Sequence, residues 1–250
     1  MKIISLNTWG GKIFQPLIAF LKQNASDTDI FCFQEILAGG SGQTTRGEMK
    51  SLYEDISNIL VNHFGYFSEY GEGGYYSESS KNLDFKYGIA VFVKKEYKQS
   101  FVGNVALYDS AKKWTDYNGR FAAGASMAVN VSDFTIVNVH GLWQEGGKKD
   151  SEARFEQSKL IINLASKAKG RKIICGDFNL KPDTESVKIL EQSTTNLIKK
   201  FGITSTRSIL YTKPEKFADY IFTSPDINVN HFEVLQDEVS DHLPLLLRCE

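Results

Sequence analysis

Ile173-Ile174-Cys175-Gly176-Asp177-Phe178-Asn179 is the stretch on which the reading of this chain turns. Its apolar half reads as a short buried strand, and it breaks at once into a glycine, a carboxylate and a carboxamide. Functional sites are commonly built this way, because a rigid strand holds polar side chains at the rim of a sheet. The same pattern recurs in both directions. Ile3 to Leu6 ends at Asn7, and Phe31-Cys32-Phe33-Gln34 leads into Glu35. The run from Phe134 to Val139 ends at His140. Asp219 interrupts Phe217-Ala218-Asp219-Tyr220-Ile221-Phe222, and Asp241-His242 stands before Leu243-Pro244-Leu245-Leu246-Leu247. Each of these alone has an ordinary explanation: a turn residue, a solvated strand end, a hydrogen-bonded histidine. Together they assemble carboxylates, imidazoles and carboxamides, a set that suits a hard divalent cation and a phosphate.

Around these strands the chain reads as one domain over residues 1–250. Helical periodicity marks Phe14, Leu17, Ile18 and Leu21, then Met49 to Leu60, then 151–168. A fourth helix is expected from a cap at Asp183 or Thr184 to about Lys199. Strands are expected at 64–70, 87–93, 100–108, 121–131 and 134–140, and in the last part at 201–205, 208–212, 218–223, 229–235 and 243–248. The helices fall between groups of strands, which argues for packed sheets with helices outside and against a uniform βα barrel.

The 250 residues carry 29 Lys+Arg against 30 Asp+Glu, a net charge of −1, so no basic stripe for bulk duplex DNA is implied. No run of about 18 apolar residues suggests a membrane span. The three cysteines are an odd number, and Cys32 and Cys175 lie inside apolar runs. They read as buried free thiols, and with no apolar leader at the N-terminus the expectation is a cytoplasmic protein, taken as a monomer.

Residue chemistry suggests the roles. Glu35 and Asp241 offer hard oxygens without a soft partner, favouring magnesium or manganese over zinc. Asp177 can orient or deprotonate a water for attack on phosphorus. Asn7 and Asn179 can donate to phosphate oxygens without adding repulsive charge. His140 and His242 can stabilise developing negative charge, with Asp219 holding His242 in one tautomer and raising its pKa.

Read as a set, the segments Ser5-Leu6-Asn7-Thr8-Trp9, Phe33-Gln34-Glu35, Tyr87-Gly88-Ile89-Ala90-Val91, Asn138-Val139-His140, Gly176-Asp177-Phe178-Asn179, Ala218-Asp219-Tyr220-Ile221-Phe222 and Ser240-Asp241-His242-Leu243-Pro244-Leu245 resemble the endonuclease/exonuclease/phosphatase superfamily, and the compact microbial members most. That resemblance implies an α+β fold, a four-layer αββα sandwich with two mixed sheets flanked by helices. It implies a metal-dependent phosphoric ester hydrolase using Mg2+, or Mn2+. By matching position, Glu35 resembles the main metal ligand, and Asn7 and Asp241 the second-tier metal or water-network residues. Asp177 resembles the residue that positions the nucleophilic water, and Asn179 the phosphate-binding amide. His140 and His242 resemble the phosphate-facing histidines, with Asp219 paired to His242. Tyr87 sits near the slot of a site tyrosine in some members.

The substrate does not follow from the fold. Lys216-Phe217-Ala218 stands where abasic-site endonucleases tend to carry Trp-Arg, and the Trp-Cys-Asp-Arg segment of inositol phosphatases is missing. The expected substrate is a phosphodiester or phosphomonoester, with a nucleotide or a single-stranded nucleic-acid end favoured. Arg207 is the favoured single cation for its phosphate. Specificity is expected in loops mixing aromatic and cationic residues: 39–47 with Arg46, 71–84 with Tyr75 and Tyr76, 109–120 with Lys112, Lys113, Trp114 and Tyr117, and 141–149 with Trp143, Lys148 and Lys149. The alternatives are a catalytically silent binding module of the same fold and a lipid phosphodiesterase. Retention of every expected catalytic residue speaks against the first, and the want of an amphipathic basic helix against the second.

Overall fold

The computed structural model describes residues 1–70, 84–107, 121–122 and 124–250. Among them lie fourteen strands: β1 (Lys2–Asn7), β2 (Ile30–Ala38), β3 (His63–Glu69), β4 (Lys86–Lys94), β5 (Gln99–Ala106), β6 (Phe121–Ala122), β7 (Ala125–Val131), β8 (Phe134–His140), β9 (Trp143–Gln144), β10 (Arg171–Asp177), β11 (Thr195–Asn196), β12 (Asp219–Thr223), β13 (Val229–Val234) and β14 (Leu245–Cys249). Five α-helices accompany them: α1 (Phe14–Asn24), α2 (Leu52–Ile59), α3 (Glu152–Ser166), α4 (Glu185–Glu191) and α5 (Leu197–Lys200). Most of the loops 71–84 and 109–120 expected to shape specificity lie outside the described residues.

Two six-stranded sheets run in the orders β13-β14-β1-β2-β4-β3 and β11-β12-β10-β8-β7-β5. Each is mixed, with one parallel pair at its centre, β1 with β2 and β10 with β8. The central strands are buried on both faces, so they read as continuous apolar runs rather than alternating ones. Alternation decides only which layer a side chain joins. Ile3, Ile30 and Cys32 face the second sheet, while Ile4, Phe31 and Phe33 face Leu17, Phe20, Leu52 and Ile56 on α1 and α2. Ile161, Leu164, Val187, Leu190, Leu197 and Ile198 of α3 to α5 join the core on the side of the second sheet. The result is the expected four-layer αββα sandwich. No described helix is long and apolar enough to cross a membrane.

A buried polar tie crosses the apolar layer between the sheets. Gln34 donates to Asn138 Oδ1 at 2.7 Å, and Asn138 Nδ2 donates to the carbonyls of Phe33 and Ala90, both at 2.9 Å. A buried carboxamide is tolerated only when bonded, so this tie fixes the position of one sheet over the other.

The register brings the polar strand ends together. Asn7 lies opposite Gln34 in the first sheet. In the second, Asp177 lies between His140 on one side and Asp219 on the other.

Three expected elements differ. The fourth helix is not continuous to Lys199: it stops at Glu191, because Thr195 and Asn196 pair with β12, and the Asn196 side chain caps α5 by accepting from Ile198 N and Lys199 N. Thr184 is the residue that caps α4. The segments 201–205 and 208–212 are not strands. In the second of them Ser208 bonds to the segment before β14 instead, its Oγ donating to the Ser240 carbonyl at 2.6 Å and its N to the Asp241 carbonyl at 3.3 Å. The loop so formed carries Arg207.

Candidate active site

A cavity of about 350 Å³ opens over these strand ends, a volume that suits a small molecule. Its wall includes Glu35, His140, Asp177, Asn179, Arg207, Asp241 and His242, with Tyr87 at one side. Asn7 and Asp219 lie buried beneath.

Glu35 comes from the bulge where the register of β2 against β4 slips between Phe33 and Ile36. Its φ is +57°, a left-handed backbone that a non-glycine residue adopts only at a cost of roughly 1–3 kcal/mol. Thr8 Oγ1, bonded to the carbonyls of Gln34 and Glu35 at 2.9 and 3.0 Å, holds that turn in place. The effect is to turn the carboxylate out of the sheet and into the cavity, where it is a quarter exposed. Asn7 Nδ2 donates to Glu35 Oε1 at 3.0 Å and to Asp177 Oδ2 at 3.1 Å. Its own oxygen accepts from Trp9 N at 3.0 Å, which fixes the orientation of the amide. In this geometry Asn7 spaces two carboxylates on different sheets and offers its nitrogen, not its oxygen, to the site.

Asp177 is fully enclosed by donors and cations. Asn179 N donates to its Oδ1 at 2.8 Å, and His242 Nε2 and His140 Nε2 stand 3.6 and 3.9 Å from its Oδ2. Burial works against its charge, but Lys148, His242, His140 and Arg207 outweigh burial and hold the carboxyl below the usual range. His242 Nδ1 is 2.7 Å from Asp219 Oδ1. Burial and Arg207 push the His242 pKa down, yet Asp219, Asp241 and Asp177 prevail and hold it above its ordinary value. Asp241 shows the opposite balance: burial, with Glu35 and Asp177 nearby, raises its carboxyl against the pull of His242 and Arg207. Arg207 stacks its guanidinium 4.0 Å from the Tyr211 ring centre, lies 3.6 Å from Asp241 Oδ2, and brings Nη1 against His242 Nε2.

Three further side chains complete the site: Tyr70 and Gln157, which sequence reasoning did not single out, and Lys148, which it placed only in a specificity loop. Tyr70 is buried, accepts from Glu35 N at 3.2 Å and bonds His140 Nδ1 at 2.5 Å. Burial, with Glu35 and Asp177 adding to it, keeps this phenol protonated, so it donates to Nδ1 and leaves the Nε2–H of His140 facing the cavity. Tyr87, expected at the site, packs edge-on against Tyr70 at 4.7 Å between ring centres and takes the wall position behind it. Gln157 of α3 accepts from Leu142 N at 2.6 Å and donates to the Phe178 carbonyl at 3.1 Å, bracing the turns after His140 and Asp177. Lys148 is buried and donates to Asn179 Oδ1 at 2.6 Å. At the rim, Trp9 has Lys12 4.7 Å from its ring centre and Trp143 has Lys213 at 5.9 Å, while Arg46 faces Glu48 at 3.6 Å.

Two groupings of donors compete as a place for a metal. The tightest buried one is Asp177, Asp219 and His242, with ligand atoms within 4.8 Å of one another. There, however, His242 Nδ1 and Asp219 Oδ1 are bonded to each other through a proton, so those atoms are spent. Glu35 and Asp241 are partly open to the cavity and are hard oxygen donors, the chemistry magnesium requires.

A profile of the Endonuclease/Exonuclease/phosphatase family matches residues 4–242, from β1 through the Ser-Asp-His segment. The chain belongs to this family. Among solved structures, one member from Bacteroides thetaiotaomicron is 19% identical, with a TM-score of 0.70 over 100% of this chain and 94% of that one. A mannosyl-6-phosphatase from the same organism is 18% identical, with a TM-score of 0.69 over 100% and 99% of the two chains. The human Nocturnin catalytic domain is 18% identical, with a TM-score of 0.63 over 100% and 94%. At these identities the likeness is one of fold. No curated protein matches the sequence significantly.

Proposed function

We propose that this endonuclease/exonuclease/phosphatase family member is a divalent-metal-dependent phosphoesterase, acting on a small phosphate ester such as a nucleotide or a nucleic-acid end. We read residues 1–250 as its single catalytic domain. The observation that carries the proposal is the junction at Asp177. Asn7 ties it to Glu35 on the other sheet, while both histidines face the same carboxylate oxygen.

Glu35 and Asp241 are the residues that would hold Mg2+ or Mn2+. Such an ion supplies Lewis-acid polarisation of a phosphate oxygen. Asp177, kept ionised by its cationic surroundings, accepts a hydrogen bond from the attacking water and aims its lone pair at phosphorus. His140 presents Nε2–H because Tyr70 occupies its other nitrogen. His242, when protonated, presents Nε2–H because Asp219 occupies Nδ1. Both then donate to oxygens on which charge accumulates. Asn179 adds an amide donor from the same turn as Asp177, and Arg207 a guanidinium. The cavity volume favours a compact substrate over a long duplex. The mannosyl-6-phosphatase that shares this fold is consistent with a site of this kind.

The test is hydrolysis of p-nitrophenyl phosphate, bis-p-nitrophenyl phosphate and short oligonucleotides with Mg2+, Mn2+ or chelator. Asp177→Ala and His242→Ala are expected to lower kcat by about 10²–10⁴-fold with the fold intact. Glu35→Ala is expected to abolish the rise in Tm that Mg2+ gives the wild type. Wild-type turnover in the Asp177 and His242 variants would refute the assignment.

A further inference from the structure

Lys148 reaches the site by an arrangement made for it. Gly146 and Gly147 take φ of +93° and +102°, conformations that L side chains rarely adopt. From α3, Arg154 reaches back to the carbonyls of Gly147 and Lys149, and Lys181 N closes on the Lys148 carbonyl at 3.0 Å. With the backbone pinned on both sides, the side chain runs inward and ends 6% exposed. Burying an ammonium costs several kcal/mol unless charge compensates it. Burial accordingly pulls its pKa down to about 8, although Asp177 and Asp219 act to raise it. Among the described residues its hydrogen-bond partner is Asn179 Oδ1, which takes one of three N–H groups. A lysine that served only to orient Asn179 would be an expensive device, since Gly141 O already fixes the other end of that amide at 3.1 Å.

We propose that Lys148 is a catalytic residue whose ammonium contacts the substrate phosphate directly, and that with Arg207 it selects a dianionic terminal phosphate over the monoanionic phosphate of a diester. This rests on the phosphoesterase reading and adds a substrate class to it. The selectivity follows from Coulomb's law. Two fixed cations line the same cavity as Asp177, and their attraction to a phosphate scales with the charge it carries. Fixed charge in a site screened from water acts at full strength without reorganising.

The experiment compares Lys148→Met, which keeps the length and loses the charge, with Lys148→Arg, which keeps the charge, both checked by thermal melting. Substrates are p-nitrophenyl phosphate and bis-p-nitrophenyl phosphate. Binding of inorganic phosphate to the metal-free protein is followed by calorimetry. Loss of one preorganised donor lowers kcat/KM for the monoester about 100-fold. A monoanion feels half the attraction, so the same change lowers the diester rate by the square root, about tenfold. Lys148→Arg restores part of the monoester rate, and phosphate affinity in the metal-free protein falls in Lys148→Met alone. Equal losses on both substrates, with phosphate affinity unchanged, would overturn the proposal and reduce Lys148 to a positioning residue for Asn179. If the wild type hydrolyses neither substrate while phosphate binding still weakens in Lys148→Met, the phosphoesterase reading fails and the lysine contact stands.

Discussion

Asp219→Asn removes a charge from beneath the site and almost nothing else. Asp219 is buried; its Oδ1 meets His242 Nδ1 at 2.7 Å and its Oδ2 accepts from Thr206 Oγ1 at 2.8 Å. In the variant the amide oxygen can serve only one of these donors. If it keeps His242, the new NH₂ points at Thr206 Oγ1. That oxygen already receives Ala218 N and Asp219 N at 3.3 and 3.4 Å. One charge-assisted hydrogen bond is therefore lost, worth about 1.5–3 kcal/mol, so the protein stays folded with a lower Tm. Catalysis suffers more. Burial and Arg207 both disfavour an imidazolium at His242, and Asp219 heads the groups that oppose them. Without it the balance shifts toward the neutral ring, and with Nδ1–H retained a neutral ring offers Nε2 as an acceptor where the transition state needs a donor. Losing that donor costs about 10²–10³ in kcat. The assay is kcat and KM on p-nitrophenyl phosphate with Mg2+, beside an NMR titration of the His242 ring. A fall in kcat with little change in KM, and a lower His242 pKa, are expected. Unchanged kcat with a lowered pKa would refute the reasoning, because the charge on His242 would then be irrelevant to the reaction.

Two further predictions concern stability. Asp177 keeps its folded pKa below the unfolded value despite burial, owing to Lys148, His242, His140 and Arg207. Its contribution is thus full above pH ~4 and is lost as pH falls through the folded value. Asp177→Asn is expected to flatten the acid limb of Tm against pH in metal-free protein; parallel acid limbs would contradict it. Gly176 has φ of +133°, and a Cβ there would stand 2.0 Å from the Val139 carbonyl oxygen of the paired strand. Gly176→Ala is expected to destabilise by more than about 3 kcal/mol, read as a lower urea midpoint and poor soluble yield; a wild-type midpoint would show that the β8–β10 pairing can give way.

The parts of the site visible in sequence are those where a polar residue ends an apolar run. Asn7, His140, Asp177 and Asp219 obey that rule at the ends of their strands, where burial tolerates charge, while Glu35 obeys it at the bulge within β2 and His242 in the segment before β14. The sandwich followed from the same runs together with the family likeness of their order. Tyr70 and Lys148 obey no such rule. Tyr70 looks like any strand-end aromatic, and its importance arises only because the β2 bulge turns Glu35 N toward its hydroxyl. Lys148 looks like one of a charged, glycine-flanked pair on a surface loop, and is buried only because Arg154, six residues on, pulls the loop carbonyls inward. The expected strand at 208–212 failed for a related reason: β propensity proposes a strand, but a partner edge has to exist, and Ser208 bonds to the Ser240 and Asp241 carbonyls instead. Asn196 likewise broke the fourth helix by capping a new one.

The pairing of β1 with both β2 and β14 has a consequence for the order of synthesis. Ser5 sits against Cys32 on one side and Leu245 on the other, so the strand that delivers Asn7 cannot be fully flanked until translation reaches the last strand. His242 and Asp241 emerge at the same late stage. A growing chain therefore presents Glu35 and Asp177 long before it holds the groups that make them work. The candidate site is thus completed only when β14 and the segment before it join a chain that already holds Glu35 and Asp177.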